Sequence, residues 1–306
     1  MINEANVGVG IQGKEGSQAA RASDYAIKEF SHLKKLLFFH GRESYRKNSW
    51  VILYNFYKNV LFVSPMICSA CITFCSGMTT YDPFVHQLMN TIYTAVPPGW
   101  FGVFNYEYTK EELMNNPRYY IQGIYKRCYH FRGLVRSFGL SAIEGTIIFL
   151  CGHYWYRLGN HDGTCNDYWS IGTVMMAGVV IQANLKLTID LSYYDYFGLG
   201  LILLSASLYI FTIGIADSDW MLSGNIVRAF YILDNFKEVI VDSKFFFCML
   251  LICTFCSFLE IFVNKIPILY GIITDGKNLP PYKREKDKKI KIKEEINNEH
   301  ELSECK

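Results

Sequence analysis

Six apolar windows govern what this 306-residue chain can fold into. They cover 50–75, 84–104, 134–156, 168–190, 197–216 and 245–270. Each is close to the roughly 20 residues that a helix needs to cross a hydrocarbon core about 30 Å thick. Hydrocarbon offers no partner to a backbone N–H or C=O, so segments of this length close their own hydrogen bonds as helices. Half of the residues are hydrophobic (51%), yet 19% are charged, and the charges collect between the windows. The expectation is an α-helical polytopic membrane protein with six transmembrane helices. A net charge of +2 gives no basic footprint for nucleic acid.

Orientation follows from lysine and arginine in the short connections. Lys34, Lys35, Arg42, Arg46 and Lys47 precede the first window, and Lys110, Arg118, Lys126, Arg127, Arg132 and Arg136 lie between the second and third. The connection 76–83 has none, the loop 157–167 has Arg157, and only Arg228 and Lys237 follow Ala216 before Lys244. Both termini are therefore expected in the cytosol, with 76–83 a tight exoplasmic hairpin. Residues 1–40 contain no apolar core of a signal peptide, so insertion is expected to use the first window itself.

Lys58 and Asn59 interrupt the first window near its middle. An ammonium at bilayer depth costs at least about 2.5 to 3.5 kcal/mol, so it marks a polar cavity or a partner. The second window is the weakest, being broken by His86, Gln87, Asn90, Pro97 and Pro98. A hard metal cation would need carboxylates at this depth, whereas these two windows offer Lys58, Asn59, Asn90 and Thr94, with Asp82 only at one end. A fixed ammonium beside amides suits an anionic or zwitterionic head group and repels cations. The bland alternative for Lys58 is an ion pair holding helices together, with Glu144 or a residue outside this chain as its partner. Lys186 is expected to snorkel, in packing or in lipid contact, while Glu260 reaches water with help from Asn264 and Lys265. No metal site is expected: Cys68, Cys71 and Cys75 share a helical face without a His or carboxylate, and read as small-residue packing. Cys151 and Cys165 flank the one loop where an exoplasmic disulfide is conceivable.

Two polar pieces flank the windows. In 1–40, Val7-Gly8-Val9-Gly10-Ile11 reads as a buried strand ending in a glycine turn, with a short helix-like run over 16–21. Gly8-x-Gly10-x-x-Gly13 satisfies a dinucleotide fingerprint in letters, but the βαβ unit of about 30 residues that gives it meaning is not apparent. The tail 275–306 mixes both signs of charge without an apolar face, as a solvated tail does, or one drawn to anionic lipid by Lys283, Arg284, Lys286, Lys288 and Lys289.

The run from Val7 to Ala20 (Val-Gly-Val-Gly-Ile-Gln-Gly-Lys-Glu-Gly-Ser-Gln-Ala-Ala), followed by Ser23-Asp24-Tyr25-Ala26-Ile27, resembles the end of the phosphorylation domain of phospholipid-flippase P-type ATPases. The resemblance continues through Phe30 to Gly41, Tyr57-Lys58-Asn59, Asn90, Tyr93 to Pro98, Pro117, Tyr119, Tyr120, Gly123 and Asn184-Leu185-Lys186. It implies three parts: 1–40 as the remnant of an α/β (HAD-like) phosphorylation domain, 41–274 as a six-span transport domain, and 275–306 as a charged cytoplasmic tail. It also implies that Lys58, Asn59 and Asn90 occupy positions affecting lipid transport.

For the complete family enzyme the resemblance implies ATP and Mg2+ as cofactors, a membrane phospholipid as substrate moved toward the cytoplasmic leaflet, and a two-span glycosylated accessory subunit as a possible partner. The aspartyl-phosphate motif D-K-T-G and the magnesium motif D-G-x-N-D are not in these residues. The chain alone is therefore expected to be inactive toward ATP and to work with the N-terminal portion of such an enzyme. The alternative is a non-catalytic membrane scaffold or regulatory subunit derived from a flippase.

Overall fold

The computed structural model describes residues 4–13, 18–124, 128–157, 167–192, 195–216, 239 and 242–264. The tail 275–306, Cys165, Lys126, Arg127, Arg228, Lys237 and Lys265 lie outside the described residues. The chain forms two compact units, one within 1–46 and 106–128, the other within 47–105 and 129–270.

The first unit opens with β1 (Val9–Ile11), α1 (Gln18–Arg21) and β2 (Tyr25–Ile27), and the two strands pair in parallel, Val9 opposite Tyr25 and Ile11 opposite Ile27. The expectation of a lone strand is thus corrected. Three residues of β2 supply partners for β1, with a short helix as the crossover that a parallel pair needs. The motif residues have structural work here: the Gly8 N–H donates to Asp24 Oδ2 at 2.8 Å, and the Ser23 hydroxyl reaches the carbonyls of Ala20 and Tyr25. Gly10 is required by close approach, because a Cβ there would stand 2.5 Å from the Ala19 carbonyl oxygen.

α2 (His32–Lys35) runs through a π-helical turn, Leu36–Gly41, into the long α3 (Arg42–Ile72). Around the start of α3 in this unit, Arg42 binds Glu43 at 2.5 Å and Glu107 at 2.7 Å, and Arg46 binds Glu43 at 2.9 Å. The Arg42 guanidinium also lies 5.0 Å from the centre of the Tyr108 ring. Burial, with Glu107 adding to it, raises the Tyr108 phenol above its ordinary range, and Arg42 opposes that shift. α6 (Lys110–Asn115) begins at a capping box, Thr109 with Glu112.

In the second unit, helices α8 (Phe131–Leu150, continued as a π-helix to Tyr156), α9 (Tyr168–Asp190), α10 (Tyr196–Ala216) and α11 (Ser243–Asn264) follow. α9 is the axis of the core: Val174, Met175, Met176, Val179, Val180 and Ala183 are buried against Leu61, Ile148 and Ile252. A helix packed on most of its circumference is mainly apolar, and of the polar side chains that α9 does bury, Gln182 and Asn184 bond to neighbouring helices. The outer faces of α10 and α11 expose Leu203, Phe211, Phe247, Phe255 and Phe258, as a hydrocarbon solvent permits.

Among the described residues five helices, not six, are long and apolar enough to cross a membrane: His32–Ile72, Phe131–Tyr156, Tyr168–Asp190, Tyr196–Gly214 and Ser243–Val263. The window 84–104 is instead three pieces, α4 (Pro83–Leu88), a π-helical turn (Met89–Tyr93) and α5 (Val96–Phe104). Asp82 caps α4 through the Phe84 and Val85 N–H groups. Burial raises the Asp82 carboxyl above its ordinary range, and those two donors counter the shift in part. α3 ends at Ile72, where Phe74, Cys75 and Gly77 take left-handed backbone, and Cys75 falls past the helix, so the three cysteines do not form one helical face.

Arg42→Ala is expected to remove the buried cation that ties Glu43 to Glu107 and to leave Glu43 with Arg46 alone, at a local cost below the about 3–5 kcal/mol of a wholly uncompensated buried charge. The readout is proteolytic cleavage within 106–124 under conditions that leave the parent chain intact. Equal resistance of both proteins would mean that the ion cluster does not hold that loop.

Candidate functional site

The break in 84–104 sets the geometry of the site. In a continuous helix the carbonyls of Tyr93 and Thr94 would accept the N–H groups of the residues four positions on. Those residues are Pro97 and Pro98, which have none. They sit in the first turn of α5, where the missing donors cost that helix nothing. The cost falls on the turn before it, whose two buried carbonyls lose their helical donors.

Two side chains from other helices fill these positions. Ser205 of α10 donates its hydroxyl to the Tyr93 carbonyl. Lys58 of α3 places Nζ 3.3 Å from both the carbonyl and the hydroxyl oxygen of Thr94. The Thr94 hydroxyl itself donates to the Met89 carbonyl at 2.7 Å and closes the π turn. Lys58 is 6% exposed and Thr94 is fully buried. Among the described residues no carboxylate lies within 4.0 Å of the Lys58 ammonium, which is held by neutral oxygens alone.

This removes Glu144 as the partner in the bland alternative, an ion pair holding helices together. That carboxylate is wholly buried on α8 and accepts the Tyr57 hydroxyl, while the Gln182 amide donates to the same hydroxyl at 3.4 Å. Tyr57 and Lys58 are consecutive on a helix, so they point about 100° apart. Tyr57 faces the Glu144 side and Lys58 faces the break.

The same geometry separates Lys58 from Asn59. Asn59 is exposed, in line with Ile52, Phe56, Val63 and Ile67 along the outer face of α3. Asn90 is exposed on the π turn. Neither amide makes a hydrogen bond among the described residues. Of the three expected site residues, the structure joins Lys58 to Thr94 and leaves Asn59 and Asn90 outward. Ser205 and Gln182 were not singled out from the sequence, and Tyr57 entered only as a position of the family resemblance. The double proline was the signal for Ser205, because it fixes which carbonyls need a foreign donor.

Lys186 has a different environment. It pairs with Glu260 of α11 and, at 3.4 Å, with Asp190, and lies 5.3 Å from the centre of the Tyr57 ring. Glu260 is fully buried, which corrects the expectation that it reaches water. A cavity of about 240 Å3 opens between α3, α8 and α9, lined by Trp50, Tyr54, Tyr57, Arg136, Lys186 and Asp190. Lys58 is not part of its wall. Among the described residues no group of three or more His, Cys, Asp or Glu is arranged to hold a metal ion.

Comparison with known proteins gives a consistent result. A family model described as "Phospholipid-translocating P-type ATPase C-terminal" matches residues 20–270. Phospholipid-transporting ATPase 11C of Mus musculus is 30% identical over 213 residues, which cover 69% of this chain and 19% of that protein. Phospholipid-transporting ATPase IG of Homo sapiens has the same identity over the same length. Probable phospholipid-transporting ATPase 4 of Arabidopsis thaliana is 30% identical over 231 residues, 74% of this chain and 19% of the relative. The chain therefore spans about a fifth of the length of these curated relatives.

Lys186→Ala is expected to take the Lys186 cation from the fully buried Glu260 carboxylate and to cost up to about 3–5 kcal/mol. The double variant Lys186→Met with Glu260→Gln removes both charges and is expected to lose much less. Thermal unfolding midpoints in detergent measure both. A double variant as unstable as the single one would show that the ion pair is not what Lys186 contributes.

Proposed function

Because the chain belongs to the phospholipid-translocating P-type ATPase C-terminal family, we propose that it is the membrane portion of an ATP-driven flippase, moving phospholipids toward the cytoplasmic leaflet. Its integral membrane character follows from the family and from five apolar helices of spanning length. In this reading 84–104 is a sixth, broken span, and both termini are cytosolic. Residues 1–40 are the last strands and helix of an α/β phosphorylation domain, 41–274 form the transport domain, and 275–306 are a charged tail.

The observation that carries the reading is the Lys58 ammonium, buried at a helix break and held, among the described residues, by neutral oxygens alone. Irregular backbone at membrane depth is tolerated where it is covered by protein or lines a polar cavity, and an ionisable residue there points to a substrate path. A head-group phosphate passing the break would offer the ammonium an ionised acceptor, a stronger partner than the neutral Thr94 oxygens it replaces. Asn59 and Asn90, outward on α3 and on the π turn, supply neutral polar contacts on a route whose other wall belongs to the rest of a longer polypeptide. The acyl chains stay in the bilayer throughout.

In the complete enzyme ATP and Mg2+ supply the energy through domains that this chain does not carry, so the chain alone does not hydrolyse ATP. A two-span glycosylated accessory subunit is the proposed membrane partner, and the missing N-terminal portion of the ATPase is the other.

Lys58→Ala in the full-length polypeptide is expected to lower lipid transport and lipid-stimulated ATP hydrolysis by about tenfold or more, the scale of a lost hydrogen bond to a charged group. Phosphoenzyme formation from ATP is expected to persist. Unchanged transport would reduce Lys58 to a packing residue. Acid-stable phosphate incorporated from ATP into residues 1–306 alone would contradict the inactive-fragment reading.

A further inference from the structure

The second open carbonyl, that of Tyr93, is met by a different helix from the one that carries Lys58, and the proposed lipid route makes no use of it. It is held by Ser205, whose own oxygen is engaged. Asn184 on α9 donates Nδ2 to Ser205 Oγ at 3.2 Å and to the Val180 carbonyl at 3.0 Å. With that lone pair occupied, the Ser205 O–H is aimed at Tyr93. Ser205 and Asn184 are both nearly inaccessible, so no water substitutes for either. The Tyr93 hydroxyl meets Thr212, also on α10, at 2.5 Å. Tyr93 is thus fixed to α10 at its backbone and at its ring tip.

Thr94 follows directly. Its backbone, at φ −134° and ψ 16°, belongs neither to the π turn before it nor to the helix after it. Its direction is set by the residue it leaves and by the two prolines it leads into. With Tyr93 anchored, the carbonyl and hydroxyl of Thr94 are presented together to one ammonium. With Tyr93 released, its carbonyl has no donor at this depth, and the turn must rotate to find one.

We propose that Ser205, on a helix outside the lipid route, is a positioning residue for Lys58. Its hydroxyl stands in for the N–H that Pro97 lacks, and through Tyr93 it fixes where Thr94 holds the ammonium that meets the lipid head group. Asn184 orients that hydroxyl. This inference rests on the reading of Lys58 as the head-group lysine.

The test compares Ser205→Ala, Lys58→Ala and the double variant in the full-length polypeptide, with phosphatidylserine in detergent micelles as the stimulating lipid. Ser205→Ala is expected to raise the lipid concentration for half-maximal ATP hydrolysis by about three- to tenfold, the scale of one net hydrogen bond. The phosphoenzyme level reached from ATP should not change. In the Lys58→Ala background, removing Ser205 should add nothing. Effects that multiply would overturn the proposal, because Ser205 would then act on packing in general. So would an unchanged half-saturation in Ser205→Ala while Lys58→Ala is impaired, a result that leaves the head-group reading intact. If Lys58→Ala itself is unimpaired, it is the head-group reading that fails. Should Ser205→Ala yield no folded protein, Ser205→Cys, which keeps a weaker donor, carries the same comparison.

Discussion

Two N–H groups that do not exist organise the membrane part of this protein. Pro97 and Pro98 withhold the donors that would carry a helix through Tyr93 and Thr94, and a hydrocarbon environment supplies no water in their place. Each carbonyl is met instead by a side chain from a different helix, Ser205 from α10 and Lys58 from α3. The break is thus a point of assembly: the pieces of 84–104 are tied to two other helices because their own backbone cannot satisfy itself. Asn184 extends the tie to α9, the most buried helix.

Buried Lys58 and half-buried Lys186 show how partner chemistry separates a structural charge from an available one. Lys186 lies between Asp190 and Glu260 and faces the Tyr57 ring. Drawing it away would leave a fully buried carboxylate without its cation, at a cost of several kcal/mol. Lys58 has one carbonyl and one hydroxyl, both at 3.3 Å, long for a charge-assisted bond. An incoming phosphate offers that ammonium more than it gives up. The same residue type serves as a bolt in one place and as a movable contact in the other.

Much of this was legible in the sequence. The window 168–190 coincides with α9, and 134–156 and 197–216 lie within a few residues of the observed helices, because an uninterrupted apolar run fixes both length and type. The importance of Lys58 was also readable, since the cost of an ammonium at depth does not depend on the fold. What the sequence concealed were relations across helices. Lys58 and Asn59 look like a pair on paper, yet consecutive helical residues diverge, and only one of them turns inward. Glu144 was one partner open to Lys58 in the bland alternative, but Tyr57, one residue earlier, faces it instead. Strand β2 was hidden because a stretch of three residues carries too little pattern to announce itself without its partner.

The choice of lysine over arginine at position 58 follows from the shape of the receiving site. The Thr94 carbonyl and hydroxyl converge on one point, and a compact ammonium satisfies both with two of its three donors, leaving a third free. A guanidinium spreads its donors over a planar fork suited to paired, coplanar acceptors such as a carboxylate. At this break it would leave more buried donors unmatched, with five N–H groups to place against the three of the ammonium. The flexible four-carbon stem adds a second property, because it lets the charge change partner by rotation about side-chain bonds while α3 stays packed through Tyr54, Tyr57, Leu61 and Phe62 on its buried side. A rigid helix bearing a mobile point charge, set against a break that holds the charge only lightly, is the arrangement a passing anionic group can exploit without disturbing the fold around it.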